Sequence, residues 1–231
     1  MPNSPNGPII LISGNEERAM SARMKIGWGL MAFFAVAIAL AIVPQYLTVD
    51  EARMFPEQVE VYLANLAPIV GHVAGGAVAL LLGPTQFIPA LRRRRSLTFH
   101  RWAGRLYLVG VAVGGLFGLW MAFLAYGGIV AQAGFFGLSV AWLTSGTIAY
   151  RRIRAGDQDV HREWMIRNYA LTFAAVTLRL WIGVSVASGI DFDIAYPLIA
   201  WIAWVPNLIV VEWWIRRHRG QRSARREAVT A

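Results

Sequence analysis

Six apolar runs, each about as long as a membrane is thick, constrain the fold more than any other feature of this sequence. They cover residues 26–46, 66–90, 103–126, 128–150, 164–188 and 194–215. A helix rises about 1.5 Å per residue, so roughly 20 residues cross a hydrocarbon core of about 30 Å. The runs lack the alternating polar and apolar residues of barrel strands, and lipid offers the backbone no hydrogen-bonding partner. The sequence therefore predicts an all-α, polytopic membrane protein with six transmembrane helices, which we number as spans one to six.

The flanking segments are polar, so three regions are predicted. Residues 1–25 form a cytoplasmic N-terminal segment, residues 26–215 the six-helix transmembrane domain, and residues 216–231 a basic cytoplasmic tail. The first run exceeds the roughly 7 to 15 residues of a signal-peptide core, so it is interpreted as a retained helix. Small residues recur three or four apart in spans two to four, which favours close helix packing. The glycines given this role are Gly75, Gly76, Gly114, Gly118 and Gly134.

Composition supports the membrane assignment and removes several function classes. Hydrophobic residues make up 57% of the 231 residues and charged residues only 15%, which departs from the composition of soluble domains. The chain has no cysteine, which excludes disulfides, thiol catalysis and cysteine-ligated zinc or iron–sulfur sites. The sequence also lacks a phosphate-binding Walker loop, an HExxH zinc pattern and a nucleophile elbow. No metal site is therefore predicted.

The positive charges are segregated along the chain in a way that predicts topology. All of the 22 lysine and arginine residues except Arg53 and Arg179 lie before span one, in 91–105, in 151–167 or after span six. If the helices alternate in direction, these segments share one membrane face, and the positive-inside rule places both termini in the cytoplasm. Arg92 to Arg95 are interpreted as a cytoplasmic cap that contacts anionic lipid headgroups. Nucleic acid is not expected as a partner, because the basic segments are short and carry no aromatic platform.

Ionisable side chains inside the spans are the strongest indication of function, because charge in lipid is costly and usually faces the bundle interior. His72 lies about six residues, roughly 9 Å, from the outer end of span two, and Arg179 lies at a similar depth in span five. The two are predicted to share an outer pocket, with Gln132 of span four as the nearest polar neighbour. Glu212 of span six is expected to form a structural ion pair at the inner side. Its candidate partners are Arg101, Arg105 and Arg167.

Two further histidines begin spans three and five in similar sequence surroundings. His100 begins the stretch HRWAGR and His161 begins the stretch HREWMIR, each at the start of a span that runs outward. Three roles remain open: headgroup anchoring by interfacial His–Arg pairs, ligation of a haem, and a proton or small-molecule site. Neighbouring arginines are candidates for contacts with haem propionates or with lipid phosphates. These arginines are Arg101, Arg105, Arg162 and Arg167.

Several motifs together resemble a known family. They are GHVAGGAVALLLGPTQFIPALRRR, HRWAGRLY, DVHREWMIRNYALTFAAVTLRLW and AWIAWVPNLIVVEW, which extend from about His72 to Trp213. As an ordered set they are similar to the bacterial family of predicted integral membrane proteins known as domain of unknown function 2306. The resemblance implies a multi-pass protein of the bacterial inner membrane, and it supplies no substrate or reaction. It also places Gln86, Trp164 and Asn207 in the family's pattern.

The layout of the spans is distantly similar to that of transmembrane b-type cytochromes, in which histidines of a four-helix core ligate haem. This resemblance implies that spans two to five form such a core and that His100 and His161 hold one b-type haem. His72 has no histidine counterpart on span four, where Gln132 is the nearest polar residue.

Three classes of function are therefore open. The first hypothesis is a membrane redox protein that binds b-type haem or interacts with quinone. The second is a proton-coupled small-molecule transporter that uses His72, Arg179 and Glu212. The third is a non-enzymatic membrane assembly or lipid-binding factor. Quinone and another membrane protein are the potential partners besides lipid, and the sequence leaves the oligomeric state open.

Overall fold

A computed structural model describes residues 22–92 and 96–230, with side chains for residues 25–91 and 96–219. The α-helices in these ranges are α1 (Ala22–Leu47), α2 (Val59–Ala64), α3 (Leu66–Gln86), α4 (Leu97–Ala122), α5 (Gly128–Arg154), α6 (Gln158–Thr172), α7 (Ala174–Ala187), α8 (Phe192–Ile202) and α9 (Val205–Thr230). Six helical segments are long and apolar enough to cross a membrane: Lys25–Leu47, Leu66–Gln86, Leu97–Ala122, Gly128–Arg154, Gln158–Ala187 and Phe192–Arg219. The prediction of an all-α protein with six spans is confirmed.

Two helices begin earlier than the apolar runs predict. Both α4 and α6 start in polar sequence, before the runs at 103 and 164. Asp157 caps α6 by accepting a hydrogen bond from the Val160 amide at 3.1 Å, which satisfies one of the free donors at a helix start. His100 and His161 consequently lie in the first turns of α4 and α6.

Other boundaries differ at the ends of helices. Span two ends at Gln86, short of the predicted residue 90, because the chain turns through a 3₁₀-helix at Pro89–Arg92. Span six continues in α9 to Thr230, so the predicted basic tail begins as an extension of that helix. Residues 1–21 of the predicted N-terminal segment and the side chains of the predicted lipid-binding cap, Arg92 to Arg95, lie outside the described residues.

Spans two to five surround one interior. Helix α3 packs on α4, α4 on α5 and α5 on α6, and α6 closes the ring against α3. Helix α1 lies outside this ring against α3 and α7, α8 packs on α5 and α7, and α9 packs on α6. The predicted four-helix core is therefore confirmed. We call the bundle end with the α5–α6 connection the basic end, and the end with α2 the capped end.

Glycines bring α3 and α4 into direct backbone contact. A Cβ atom on Gly75 would lie 2.5 Å from the Gly114 amide nitrogen. A Cβ atom on Gly134 of α5 would lie 3.0 Å from Ala200 of α8. These positions match the predicted packing role. A Cβ atom on Gly76 itself would meet no atom within 4 Å, because this position borders a cavity, but its backbone belongs to the same contact: a Cβ atom on Gly114 would lie 2.9 Å from the Gly76 amide nitrogen.

A hydrogen-bonded network fills the centre of the ring. Asn168 donates to Ser145 Oγ at 2.8 Å and to the Trp142 carbonyl at 2.7 Å, and its Oδ1 accepts from the Tyr107 hydroxyl at 2.6 Å. Thr172 Oγ1 accepts from the Trp142 indole at 2.8 Å and lies 3.0 Å from the Tyr107 hydroxyl. All five side chains are buried. Because their polar groups satisfy one another, this central network forms a packed layer between the two ends of the bundle.

The fifth and sixth spans are each interrupted, at Phe173 and at Ala203. Asn207 Nδ2 lies 3.1 Å from the Ala203 carbonyl and 3.3 Å from a carbonyl of α6. The Thr177 hydroxyl also donates to the Ala203 carbonyl. Pro206 removes a backbone donor just after the break, and these side chains supply donors in its place. The breaks are thereby stabilised against each other, which fixes the direction of α7.

Candidate functional site

An internal cavity of about 230 Å³ lies between the central network and the capped end. Its apolar lining comes mainly from α1, α3, α4, α5 and α7. The polar side chains that line it are Tyr46, Gln58, Tyr62, His72, Tyr126, Ser139, Trp142, Thr172, Arg179 and Tyr196. Trp142 and Thr172 also belong to the central network, so they form the floor of the cavity. The network therefore lies between the cavity and the basic end.

Arg179 brings a positive charge into this cavity. Its Nη1 donates to the Ala175 carbonyl one turn earlier at 2.7 Å, which holds the guanidinium beside α7. The rings of Tyr46, Tyr62 and Tyr196 are close enough to interact with it electrostatically. Among the described residues, no carboxylate lies within 4 Å of the guanidinium. Since a charge at this depth is normally paired, the described chain leaves Arg179 without its usual kind of partner.

His72 faces the same cavity from α3 in a fixed orientation. Its Nδ1 lies 2.8 Å from the Gly114 carbonyl oxygen. Because a carbonyl oxygen only accepts, Nδ1 carries the proton, and the neutral ring keeps a bare Nε2. Gly118 permits this position, since a Cβ atom there would lie 2.8 Å from Nδ1. His72 therefore offers the cavity a hydrogen-bond acceptor, in contrast to the donors of Arg179.

Helix α2 and the segment before it cover the capped end of the cavity. Gln58 is buried and donates to the Leu124 carbonyl at 3.1 Å, which fastens this segment to the end of α4. Phe55 packs edge-on against Tyr126, with 6.1 Å between the ring centroids. The Tyr126 hydroxyl donates to Asp193 of α8, and this hydrogen bond raises the pKa of Tyr126 because the carboxylate holds the proton that ionisation removes. Helix α2 and the segment before it are thus anchored to both α4 and α8.

The predicted outer pocket is only partly reproduced. His72 and Arg179 line the same cavity, whereas Gln132 does not line it. Gln132 comes three residues before Phe135 in α5. Phe135 lines the cavity, whereas Gln132, which is nearer the start of the helix, does not.

The sequence reasoning missed the three tyrosines around Arg179, because aromatic residues near span ends are usual at membrane interfaces. The sequence signal that distinguishes them is that a tyrosine recurs near the same end of several segments. Tyr46, Tyr62 and Tyr196 occur near the capped end, in three different segments. That recurrence becomes informative only once the spans are known to surround a common space.

His100 and His161 lie at the basic end on matching faces of their helices. Each stands seven residues before a member of the central network, His100 before Tyr107 and His161 before Asn168. Seven residues are about two helical turns, so each pair shares a helix face. Tyr107 and Asn168 hydrogen bond to each other, so the two histidines lie on the helix faces of α4 and α6 that carry this network, toward the basic end. His161 Nδ1 also lies 2.8 Å from the Ala149 carbonyl, which leaves Nε2 as the acceptor of the neutral ring.

The four arginines predicted to accompany these histidines are not gathered around them. Arg101 and Arg105 are exposed on the outward side of α4, and the Arg105 guanidinium lies 4.8 Å from the ring centre of a neighbouring tryptophan. Arg162 is exposed as well. Arg167 is engaged by Glu212 of α9. This arrangement fits separate contacts with lipid phosphates better than a shared set of propionate contacts.

Glu212 belongs to an ion-pair cluster at the basic end. Its Oε2 lies 2.8 Å from Arg167 Nη2, and its Oε1 lies 3.1 Å from Arg216 Nε. Glu163 and Arg219 add a second connection between α6 and α9. Of the three candidate partners, Arg167 forms the ion pair with Glu212. The central network lies between this cluster and the cavity, so Glu212 and the residues that line the cavity are on opposite sides of the network.

The core of this structure matches a known family. Residues 69–215 match the family described as predicted membrane protein (DUF2306), and they include His72, Arg179 and the central network. Helices α1 and α2 lie before the matched residues. No curated protein and no solved structure matches the chain. Because the match covers more than half of the 231 residues, the chain belongs to the DUF2306 family of predicted membrane proteins.

Proposed function

We propose that the cavity binds the headgroup of a lipid-soluble quinone and that the protein takes part in membrane redox chemistry. The observation that carries this proposal is Arg179. Its guanidinium lies in a tyrosine-lined cavity and has no carboxylate partner among the described residues. Charged side chains within a membrane usually serve a functional site. A ligand oxygen that accepts hydrogen bonds supplies the partner that Arg179 otherwise lacks.

The combination of donors and an acceptor favours a ring with oxygen at both ends. Arg179 and the tyrosines present N–H and O–H donors, which suit a carbonyl oxygen. The bare Nε2 of His72 accepts a hydrogen bond from the hydroxyl of the reduced quinol. A simple carboxylate, such as a fatty acid, satisfies Arg179 but offers His72 no hydrogen. The quinone and quinol pair uses both groups.

The size of the cavity supports a small headgroup. Its volume of about 230 Å³ is below the roughly 300–1,000 Å³ typical of pockets for drug-sized ligands. One ring with short substituents suits this space, and the isoprenoid tail then extends into the surrounding lipid. The alternative role as a lipid-binding or assembly factor predicts no such selectivity for a ring.

Replacement of Arg179 by glutamine should weaken quinone binding at least tenfold. Hydrogen bonds to a charged partner contribute about 1.5–3 kcal/mol, which corresponds to roughly ten- to hundredfold in affinity. Purified protein in quinone-free nanodiscs is titrated with a short-chain benzoquinone. Quenching of tryptophan fluorescence reports binding, because Trp142 lines the cavity, and equilibrium dialysis checks the constant without a fluorophore.

Arg152→Gln is the matched control, since it removes an exposed arginine at the basic end and should leave the binding constant unchanged. A parallel titration with decanoate tests the carboxylate alternative. The quinone proposal fails if the wild-type protein binds no quinone, if it prefers decanoate, or if Arg179→Gln binds quinone as tightly as the wild type.

A second candidate function, compatible with the first, is ligation of a b-type haem by His100 and His161. Two observations support it. The histidines lie on the faces of α4 and α6 that carry the central network, and the Ala149 carbonyl accepts from His161 Nδ1, which fixes the ring and leaves Nε2 free to bind iron. The outward-facing Arg101 and Arg105 do not support the propionate contacts. A bound haem supplies one-electron redox chemistry, and the role of the two imidazoles is to hold it at the basic end.

Haem ligation predicts a b-type reduced-minus-oxidised spectrum in the purified protein. His100→Ala and His161→Ala should each remove most of this signal, because one axial ligand is then lost. His218→Ala is the matched control, because His218 packs on Trp214 of its own helix. A colourless protein from haem-replete cells, with no haem on extraction, rules this candidate out.

A further inference from the structure

One part of the cavity wall lies within the residues that match the family, and the other part lies before them in the sequence. The part within residues 69–215 supplies His72, Arg179 and Tyr196. The part before residue 69 supplies Tyr46 and Tyr62, together with apolar side chains of α1. The charge of the site therefore comes from the matched core, and two of its three neighbouring tyrosines come from α1 and α2.

Tyr46 and Tyr62 are held in place as a pair. Their ring centroids lie 5.7 Å apart in an edge-to-face arrangement. Tyr46 is buried and packs in one cluster with Met54, Ile69 and Met121, which connects the end of α1 to α3 and α4. Burial raises the pKa of Tyr62 well above its ordinary value, so its hydroxyl keeps its proton at physiological pH.

The number of donors around Arg179 exceeds what a single carbonyl oxygen accepts. A guanidinium carries five N–H donors, and the Ala175 carbonyl accepts one of them. Tyr46, Tyr62 and Tyr196 add hydroxyl groups in the same electrostatic neighbourhood. A carbonyl oxygen has two lone pairs. A ligand consequently needs at least two neighbouring acceptor oxygens to accept hydrogen bonds from all of these donors.

We infer that Tyr46 and Tyr62 make the site selective for a single-ring quinone whose carbonyl oxygen has an alkoxy oxygen beside it. This inference rests on the proposed quinone function. Arg179 binds the carbonyl oxygen. The Tyr62 hydroxyl hydrogen bonds to that of Tyr46, so the pair presents the Tyr46 hydroxyl to the neighbouring alkoxy oxygen, with Tyr62 as the group that orients it. A fused two-ring quinone with an alkyl neighbour lacks that second acceptor, and its second ring also demands more of the cavity of about 230 Å³.

The test compares the affinity of each protein for an alkoxy-substituted quinone with its affinity for a fused two-ring quinone. Short-chain forms of a dimethoxybenzoquinone and a methylnaphthoquinone are titrated into wild type, Tyr46→Phe, Tyr62→Phe and the double variant in nanodiscs. We expect the wild type to favour the alkoxy ring at least tenfold. Each single replacement should reduce this preference about threefold to fivefold, the effect of one net hydrogen bond, and naphthoquinone affinity should change little.

Tyr150→Phe is the matched control, because Tyr150 is exposed at the basic end of α5 and lies far from the lining. Phenylalanine keeps the ring packing, and thermal unfolding of each variant verifies that the bundle remains folded. An unchanged preference in the double variant, or a wild-type preference for the naphthoquinone, overturns this inference and leaves quinone binding intact. Absence of binding by either quinone to the wild type overturns the proposed function instead.

Discussion

Replacement of Arg179 by leucine should raise the free energy of unfolding by about 2 kcal/mol, somewhat less than the penalty of about 3 kcal/mol for an arginine at the centre of a transmembrane helix, because Arg179 lies toward the capped end. The same change should abolish quinone binding. Arg179 has no carboxylate partner among the described residues, so leucine removes an uncompensated charge and leaves no new one behind. A gain in stability accompanied by a loss of binding is typical of a residue retained for function.

The matched experiment replaces Arg167, which lies at the basic end. Its side chain is only 12% exposed, and its Nη2 lies 2.8 Å from Glu212. Arg167→Leu leaves this carboxylate with one exposed arginine, Arg216, as its remaining partner. We expect Arg167→Leu to lower the free energy of unfolding by about 2 kcal/mol. This cost is smaller than for a fully buried pair because Glu212 is partly exposed to solvent.

Thermal or denaturant unfolding in one detergent measures both variants against the wild type. The quinone titration is repeated on each of them. Opposite signs for the two leucine variants distinguish a functional arginine from a structural one. If Arg179→Leu destabilises the protein as Arg167→Leu does, Arg179 has a structural partner and the argument for a ligand at this position fails.

Depth in the membrane could be predicted from the sequence because a helix rises by a fixed distance per residue, so the position of a residue within its span gives its depth. This reasoning placed the six spans, brought Glu212 to the level of three candidate arginines that include Arg167, and brought His72 and Arg179 to a common level. The four-helix core, which the resemblance to b-type cytochromes implies, is also observed. The successes in depth share one cause: the bilayer imposes a length on every helix, and length is visible in a sequence.

The direction in which a side chain faces could not be predicted in the same way. Gln132 has a suitable depth but is absent from the cavity lining, and Arg101 and Arg105 are at the basic end but face outward. Neighbouring residues on a helix differ by about 100° in direction, so facing depends on how the helices rotate against each other. Tyr46 and Tyr62 were missed for a related reason, since α1 and α2 contribute to the cavity only through their packing on the core.

Gly75 and Gly76 illustrate this dependence on direction, and the same substitution separates them. Gly75→Ala should lower the free energy of unfolding by about 3 kcal/mol, at the upper end of the usual cost of overpacking. Its Cβ atom would lie 2.5 Å from the Gly114 amide nitrogen and 2.7 Å from the Gly110 carbonyl oxygen. Both neighbours are backbone atoms of α4, so the contact is relieved only when the two helices separate.

Gly76→Ala is the matched control, because a Cβ atom at this position meets no atom within 4 Å. Alanine is also the better helix former, so stability should be unchanged or slightly higher. Unfolding in detergent compares the two variants directly, and the quinone titration adds a second readout for Gly75→Ala alone, because Gly76 lines the cavity. Gly75→Ala displaces the turn of α4 that carries the Gly114 carbonyl, the acceptor for His72 Nδ1, so quinol affinity should fall along with stability. Equal stability of the two variants would show that α3 and α4 are not in backbone contact at Gly75, and the position derived for His72 would then lose its basis.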